Sequence, residues 1–374
     1  MKKISVMFLV ILTAFSLIGA TYAENTDQLN MTLEQAVNYA LEHNKDMDIE
    51  NLNIQKAELS HRQVKRQIEK FNDDKEYKLS LKAYNRDLYN RMIKGVVEKQ
   101  DELGLETANK NKEIKINRIK YDVEKAYFDI LQAEKQVEIA DEGRKLSQEQ
   151  YDHSKKMFEL GTISKQQLLE SELNLSNAKS GYDNAVMAYD LQKLNFNRTI
   201  GLDYDTKVKL VDKFEFDVEK EEAVDLNESI KTALENNFSV YMAEQNVELG
   251  KLTLEVVKID YPENTTKYKD QQISVMQSEK QLETAKNGIE MAVRSSYIQM
   301  QNAKKQIASY ELAVTKAESA YKLSELSFKI GQGKSSDVKG AQISLEQSKY
   351  NLAKQIYAYN MAKLDFKYGL GIGY

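Results

Sequence analysis

The sequence predicts an all-α protein built from long antiparallel helical hairpins in two tandem copies, and three observations carry that prediction. Helix breakers are scarce, with one Pro and fifteen Gly in 374 residues. The composition, 30% charged and 41% hydrophobic, is that of long helices and coiled coils. Apolar residues also recur at steps of three and four over stretches far longer than an ordinary globular helix.

The N-terminus comes first. Lys2 and Lys3 precede an apolar run from Ile4 to Ala20, and Thr21-Tyr22-Ala23 puts small residues at the cleavage-determining positions, so residues 1–23 read as a secretory signal peptide. No later stretch approaches the roughly 20 apolar residues of a spanning helix. The mature chain is expected to be exported and to lack transmembrane helices. Without the leader it holds 51 basic and 58 acidic residues, a balance of −7 that disfavours nucleic acid and anionic membrane surfaces as partners.

Thr32 to Asn44, opening Leu33-Glu-Gln-Ala36-Val37 and closing Ala40-Leu41-Glu42-His43-Asn44, returns 193 residues later as Asp225 to Asn237. A second block repeats at an offset of 170 without a gap. Tyr127 matches Tyr297, Phe158 matches Phe328, Gly161 matches Gly331, Phe196 matches Phe366, and Gly201 matches Gly371. The chain is a duplication, with residues 24–202 as the first repeat and 225–374 as the second. Copy one carries 23 extra residues, placed within 66–98, opposite the short connector Ile259 to Tyr268 with its Pro262. Residues 203–224 form the linker, where Val208-Lys-Leu-Val and Phe214-Glu-Phe-Asp-Val have the alternation of short strands.

In copy two a heptad seam runs from Val293 through Met300, Ile307, Val314 and Tyr321 to Phe328, and resumes after the glycine turn from Val338 to Phe366. Copy one keeps the seam from Val123 to Phe158, with a lapse at Arg144 and Ser147. Each copy therefore holds a long helical hairpin. The 63 residues from Tyr268 to Ile330 span about 94 Å at 1.5 Å per residue.

Both copies resemble the TolC-type outer-membrane efflux proteins. The carriers are the Leu-x-x-Ala-Val-x-x-Ala-Leu-x-x-Asn opening and the turn Phe158-x-x-Gly161-x-x-Ser164. Copy two has the longer form Phe328-x-x-Gly331-x-x-x-x-x-Asp337-Val338-x-x-Ala341-Gln342. The resemblance implies a homotrimer whose twelve long helices form a tapered tunnel, with the glycine turns Gly161, Ser164, Gly331 and Gly333 at the tip that meets a periplasmic adaptor (membrane fusion) protein and an ABC or other inner-membrane pump. It implies an exit duct with no cofactor. In the best-known members two acidic residues three apart ring the closed aperture. Asp337 matches the first and Gly340 stands at the second. The locking aromatic falls on Phe328, the locking Arg falls on Gly333, and Lys334 stands beside it. In copy one Gln167 occupies the acidic position. Asp337 also suits the first turn of the returning helix, where the dipole favours a negative charge.

One departure stands out. The family inserts barrel strands between the two blocks of each copy, and a membrane strand needs about 9 to 11 alternating residues. The connector 259–268 is too short for a hairpin, and 66–98 has one alternating stretch, Tyr77, Leu79, Leu81 and Ala83, followed by helix-like Leu88, Met92 and Val96. The outer-membrane barrel is expected to be missing. The family places such a protein in the outer membrane; this departure points to the extracytoplasmic face of the cytoplasmic membrane and the cell wall.

Other chemistry finds no footing. There is no Cys, and His43, His61 and His153 are isolated, which leaves little for metal binding. Gly331-Gln-Gly-Lys-Ser335 ends like a phosphate loop but has Phe328 where the first Gly belongs. No acid/base or nucleophile constellation emerges, so the chain is not expected to be an enzyme. The rival to the duct is a closed coiled-coil spacer of the cell envelope.

Overall fold

The computed structural model describes residues 29–212 and 224–371. The leader, Phe214 to Val218 in the linker and Gly373 lie outside the described residues.

The order is β1 (Leu29–Met31), α1 (Leu33–His43), α2 (Lys45–Asp73), α3 (Lys75–Tyr84), α4 (Arg86–Ile93), α5 (Val96–Glu159), α6 (Lys165–Ile200), β2 (Val208–Leu210), α7 (Leu226–Asn236), α8 (Phe238–Asp260), α9 (Thr266–Lys329) and α10 (Ser335–Gly369). The long helices α5 and α9 each have 64 residues, begin and end 170 residues apart, and extend about 96 Å.

Local chemistry explains the opening motif of each copy. Thr32 caps α1 in a reciprocal box with Gln35, the Gln35 amide donating to Thr32 Oγ1 at 3.3 Å and the Thr32 amide to Gln35 Oε1 at 3.0 Å. Asp225 does the same work for α7, accepting from the amides of Asn227 and Glu228. The closing Asn has two duties. Asn44 ends α1 and its side chain starts α2, accepting from the Asp46 amide at 2.9 Å, and Asn237 repeats this between α7 and α8. One residue thus bends the chain between two helices without stranding their end groups.

The insertion departs from strand geometry altogether. Tyr77, Leu79, Leu81 and Ala83, whose alternation suited a strand, lie in α3, because Asp74 caps that helix through the Tyr77 amide at 2.9 Å. Asn85 caps α4 in the same way through Leu88. Copy two turns directly from α8 to α9. Among the described residues the β-structure is a two-stranded parallel sheet, Leu29 against Val208 and Met31 against Leu210. The Val208 strand was legible in the sequence. Its partner at Leu29 was not, since three residues carry no readable alternation.

Four long helices lie side by side in the order α6, α5, α10, α9: the hairpins α5/α6 and α9/α10 pack internally and α5 meets α10 between them, while α1 and α2 lie on copy one and α7 and α8 on copy two. Where the first copy meets the sheet, Val123, Tyr127, Ile130, Phe196 and Ile200 form the core with Ala36 and Ala40 of α1. Val293, Met300, Ile307, Tyr359 and Phe366 form its counterpart in copy two. No described helix is long and apolar enough to cross a membrane.

Candidate functional site

The tip is made by two turns of one design. In copy one the Gly161 amide donates to the Phe158 carbonyl at 2.9 Å and the Thr162 amide to Met157 at 2.9 Å. In copy two Gly331 donates to Phe328 at 3.0 Å and Gln332 to Ser327 at 2.9 Å. This double bond pattern closes a helix end only if the glycine is left-handed, and φ is +74° at Gly161 and +77° at Gly331. Gly333 is glycine for another reason, since a Cβ there would sit 2.9 Å from Ser327 Oγ and 3.0 Å from the Phe328 amide nitrogen.

The returning helices start differently. Ser164 caps α6 in a full box with Gln167, with 3.2 Å from the Gln167 amide to Ser164 Oγ and 2.8 Å from the Ser164 amide to Gln167 Oε1. In copy two Lys334 stands at the cap and cannot accept an amide hydrogen through its side chain. Asp337, exposed on the first turn of α10, takes over half of the box by accepting from the Lys334 amide at 3.4 Å, and it also accepts from Ser336 Oγ at 3.3 Å.

Phe328 does not project freely. It is 6% exposed, packed with Tyr321, Val338 and Leu345, and edge-on to His153 with ring centroids 5.4 Å apart. The exposed apolar groups at the tip are instead Leu160, 78% exposed, and Ile330, 60% exposed, each immediately before its turn glycine. Sequence reasoning passed over both, although they match at the offset of 170.

Behind the tip, α5 and α10 are joined by a polar ladder. Gln342 is buried and its amide donates to the Gly143 carbonyl at 3.0 Å and to Ser147 Oγ at 2.9 Å. Lys349 pairs with Glu142 at 2.5 Å, Tyr357 donates to Asp129 at 2.5 Å, and Tyr368 donates to Glu124 at 2.6 Å. Burial, then the bond to Glu124, holds the Tyr368 hydroxyl well above its usual range, so it stays protonated as a donor. Burial also raises the Glu346 carboxyl, against the opposing pull of Gln342 and Lys349. This crossing explains Ser147 in the lapsed copy-one seam, since Gln342 of the other copy donates to it; Arg144 instead pairs with Asp141 and lies 5.2 Å from the ring centroid of Tyr182 on α6. Gly143 leaves room for the Glu346 carboxylate, whose Oε1 lies 2.3 Å from where a Cβ would stand.

The two outer helices leave apolar edges open. On α6, Leu173, Met187 and Leu191 are more than half exposed, and on α9 so are Met291, Ile298 and Leu323. Their spacings follow one helical face on each element.

No family model matches the chain. A stretch of 103 residues is 31% identical to the outer membrane protein TolC of Salmonella enteritidis, covering 28% of this chain and 21% of that protein, so the sequence match spans about a fifth of that relative. Solved structures match far more of it. CusC superposes with a TM-score of 0.70 at 13% identity over 96% of both chains, and the outer membrane protein VceC of Vibrio cholerae with 0.64 at 12% over 91% of this chain and 96% of its own. The MtrE outer membrane channel of Neisseria gonorrhoeae gives 0.70 at 14% identity, over 91% of this chain and 89% of that one. With its paired glycine turns, duplicated 64-residue helices and these superpositions, the chain has the architecture of the TolC-type outer membrane efflux proteins.

Proposed function

We propose that the chain is a passive exit duct of a multipartite efflux system, assembled as a homotrimer and working without cofactor or catalysis. The observation that carries this reading is the pair of open edges. In one chain α6 and α9 flank the four-helix layer, and each keeps a row of exposed apolar side chains along one face. Joining α6 of one copy to α9 of the next uses both edges and closes the layer into a ring, whereas a self-contained spacer has no need of two matching edges.

The tip with Gly161, Ser164, Gly331 and Gly333 docks an adaptor hairpin, with Leu160 and Ile330 as its apolar contacts, and an ABC or other inner-membrane pump supplies the cargo. Asp337, backed by Phe328 and beside Lys334, repeats around the threefold axis as an aperture ring that favours cations. The protein works in the cell envelope. The helices that fill 66–93 in place of strands stand at the end of α5 away from the tip, about 96 Å from the pump side.

The absence of Cys in the chain makes the test clean. Leu194 and Ile298 each lie 33 residues from their copy's turn glycine, one on each open edge. The double variant Leu194→Cys with Ile298→Cys is expected to cross-link on oxidation into a species of three chains, and each single variant to stay unlinked. Cross-linked dimers alone, or a light-scattering mass of one chain, would overturn the ring. Binding of a candidate adaptor hairpin that is lost when Gly161 and Gly331 carry bulky residues would support docking at the tip.

A further inference from the structure

The insertion of copy one is chemically unlike the rest of the chain. Between Lys65 and Lys94 stand nine Lys or Arg and five Asp or Glu, whereas the mature chain as a whole is acidic. Lys75, Lys78 and Lys82 of α3 have no carboxylate within 4 Å among the described residues. Two of them are held by their own platform: Lys78 lies 4.7 Å from the centroid of Phe71, and Lys82 5.6 Å from that of Tyr89. Beside them Leu79 is 67% exposed and Tyr84 is 90% exposed, at the elbow between α3 and α4.

This surface is a built platform. Phe71 is buried and packs edge-on to Tyr89 at 5.6 Å, Asn90 donates to Asp260 of α8 at 2.9 Å, and Arg86 pairs with the same carboxylate. His61 of α2 bonds Asp101 of α5 at 2.6 Å. At the corresponding place copy two has only the turn between Asp260 and Thr266. The platform also stands at the end of α5 opposite the glycine turn.

We propose that this elbow is an interfacial anchor for an anionic lipid bilayer, with Lys75, Lys78 and Lys82 meeting headgroup phosphates and Leu79 and Tyr84 entering the headgroup boundary. Cations without a carboxylate partner gain from a negative surface, and an exposed tyrosine beside an exposed leucine gains from a partner with an apolar phase. Both properties together select lipid over an anionic wall polymer, which offers charge alone. The acidic remainder of the chain is repelled by the same surface, so the contact is confined to this end and sets the long axis away from the membrane. The inference goes beyond the duct reading and holds whether or not a lumen exists.

The test is flotation of the mature chain, 24–374, with vesicles of phosphatidylcholine alone or mixed equally with phosphatidylglycerol. At least tenfold more protein is expected to float with the mixed vesicles at low salt. Lys75→Glu with Lys78→Glu and Lys82→Glu is expected to abolish that excess, and the independent pair Leu79→Ser with Tyr84→Ser to remove the part that survives 0.5 M salt. Because the chain has no Trp, Tyr84→Trp places a unique fluorophore at the elbow, and its emission is expected to shift to the blue on anionic vesicles. Equal flotation with both lipids, no blue shift, or binding to purified cell wall without binding to vesicles would overturn the anchor. Light scattering of the same samples reports the trimer separately, so the anchor and the ring can fail independently.

Discussion

The two copies share a tyrosine and a phenylalanine but use them differently. Tyr127 and Phe196 meet edge-on at 6.1 Å, and Tyr297 and Phe366 meet at 6.0 Å. The Tyr127 hydroxyl donates to Asp212 at 2.6 Å and to the Met31 carbonyl at 3.1 Å, with the ring 1% exposed, while Tyr297 is half-buried and among the described residues has no hydroxyl partner. Duplication copied the packing pair. The polar partners came from the N-terminal strand and the linker, which exist once. Burial and then Asp212 raise the Tyr127 hydroxyl far above its ordinary range, so it remains a donor around neutral pH.

The largest effects should come from what the copies share. Phe196→Ala and Phe366→Ala are each expected to cost about 3–5 kcal/mol in denaturant unfolding, as buried aromatics generally do. A cost below about 1 kcal/mol at either site would break the claim that packing was copied intact. The next effect should come from what they do not share. Tyr127→Phe leaves the Met31 carbonyl and Asp212 short of a donor and is expected to cost about 1–3 kcal/mol, whereas Tyr297→Phe should change stability by less than about 0.5 kcal/mol. Equal losses would mean that Tyr297 finds a hydroxyl partner after all.

Much of this was legible because a heptad seam and a positive-φ glycine each leave a local signature. The offsets of 193 and 170 located α1, α7 and both hairpins, and Gly161 and Gly331 marked the turns. What was hidden depends on contacts between copies. Nothing around Gly143 in sequence says that Gln342 and Glu346, about 200 residues away, approach it, so the seam lapse at Ser147 had no visible cause. The alternation at Tyr77 to Ala83 carries no strand for a related reason. A four-residue period-two pattern is short enough to be overruled by the caps Asp74 and Asn85 on either side. Phe328 was placed at the aperture by resemblance, but its local packing against His153 is a property of three dimensions.

The crossing of the copies offers a pH-dependent test. Burial raises the Glu346 carboxyl, so the folded state holds this proton more tightly than the unfolded chain does. Its contribution to stability is therefore most favourable below the ordinary carboxylate value and declines as pH rises through the folded value. Glu346→Gln keeps the oxygen that accepts from Gln342 at 2.8 Å and removes the charge. The variant is expected to melt higher than wild type near pH 7, with the gain vanishing below about pH 4. A gain that persists unchanged at acid pH would assign the effect to packing.

The smallest effects separate the two starts of the returning helices. Gln167 and Asp337 occupy the same position and both reach back to the cap amide, but only Asp337 brings a charge to the helix N-terminus. Within one chain Asp337→Asn should cost about 0.3–1 kcal/mol and Gln167→Glu should gain about as much, both fading in 1 M salt. Around a threefold axis the signs part company. If three Asp337 carboxylates converge, neutralising them relieves mutual repulsion, and Asp337→Asn should then raise the thermal stability of the cross-linked trimer while still weakening the monomer. Gln167→Glu has no such inversion unless copy one also reaches the axis. Measuring both substitutions in both assembly states therefore reads the cap and the ring as opposite signs on one residue.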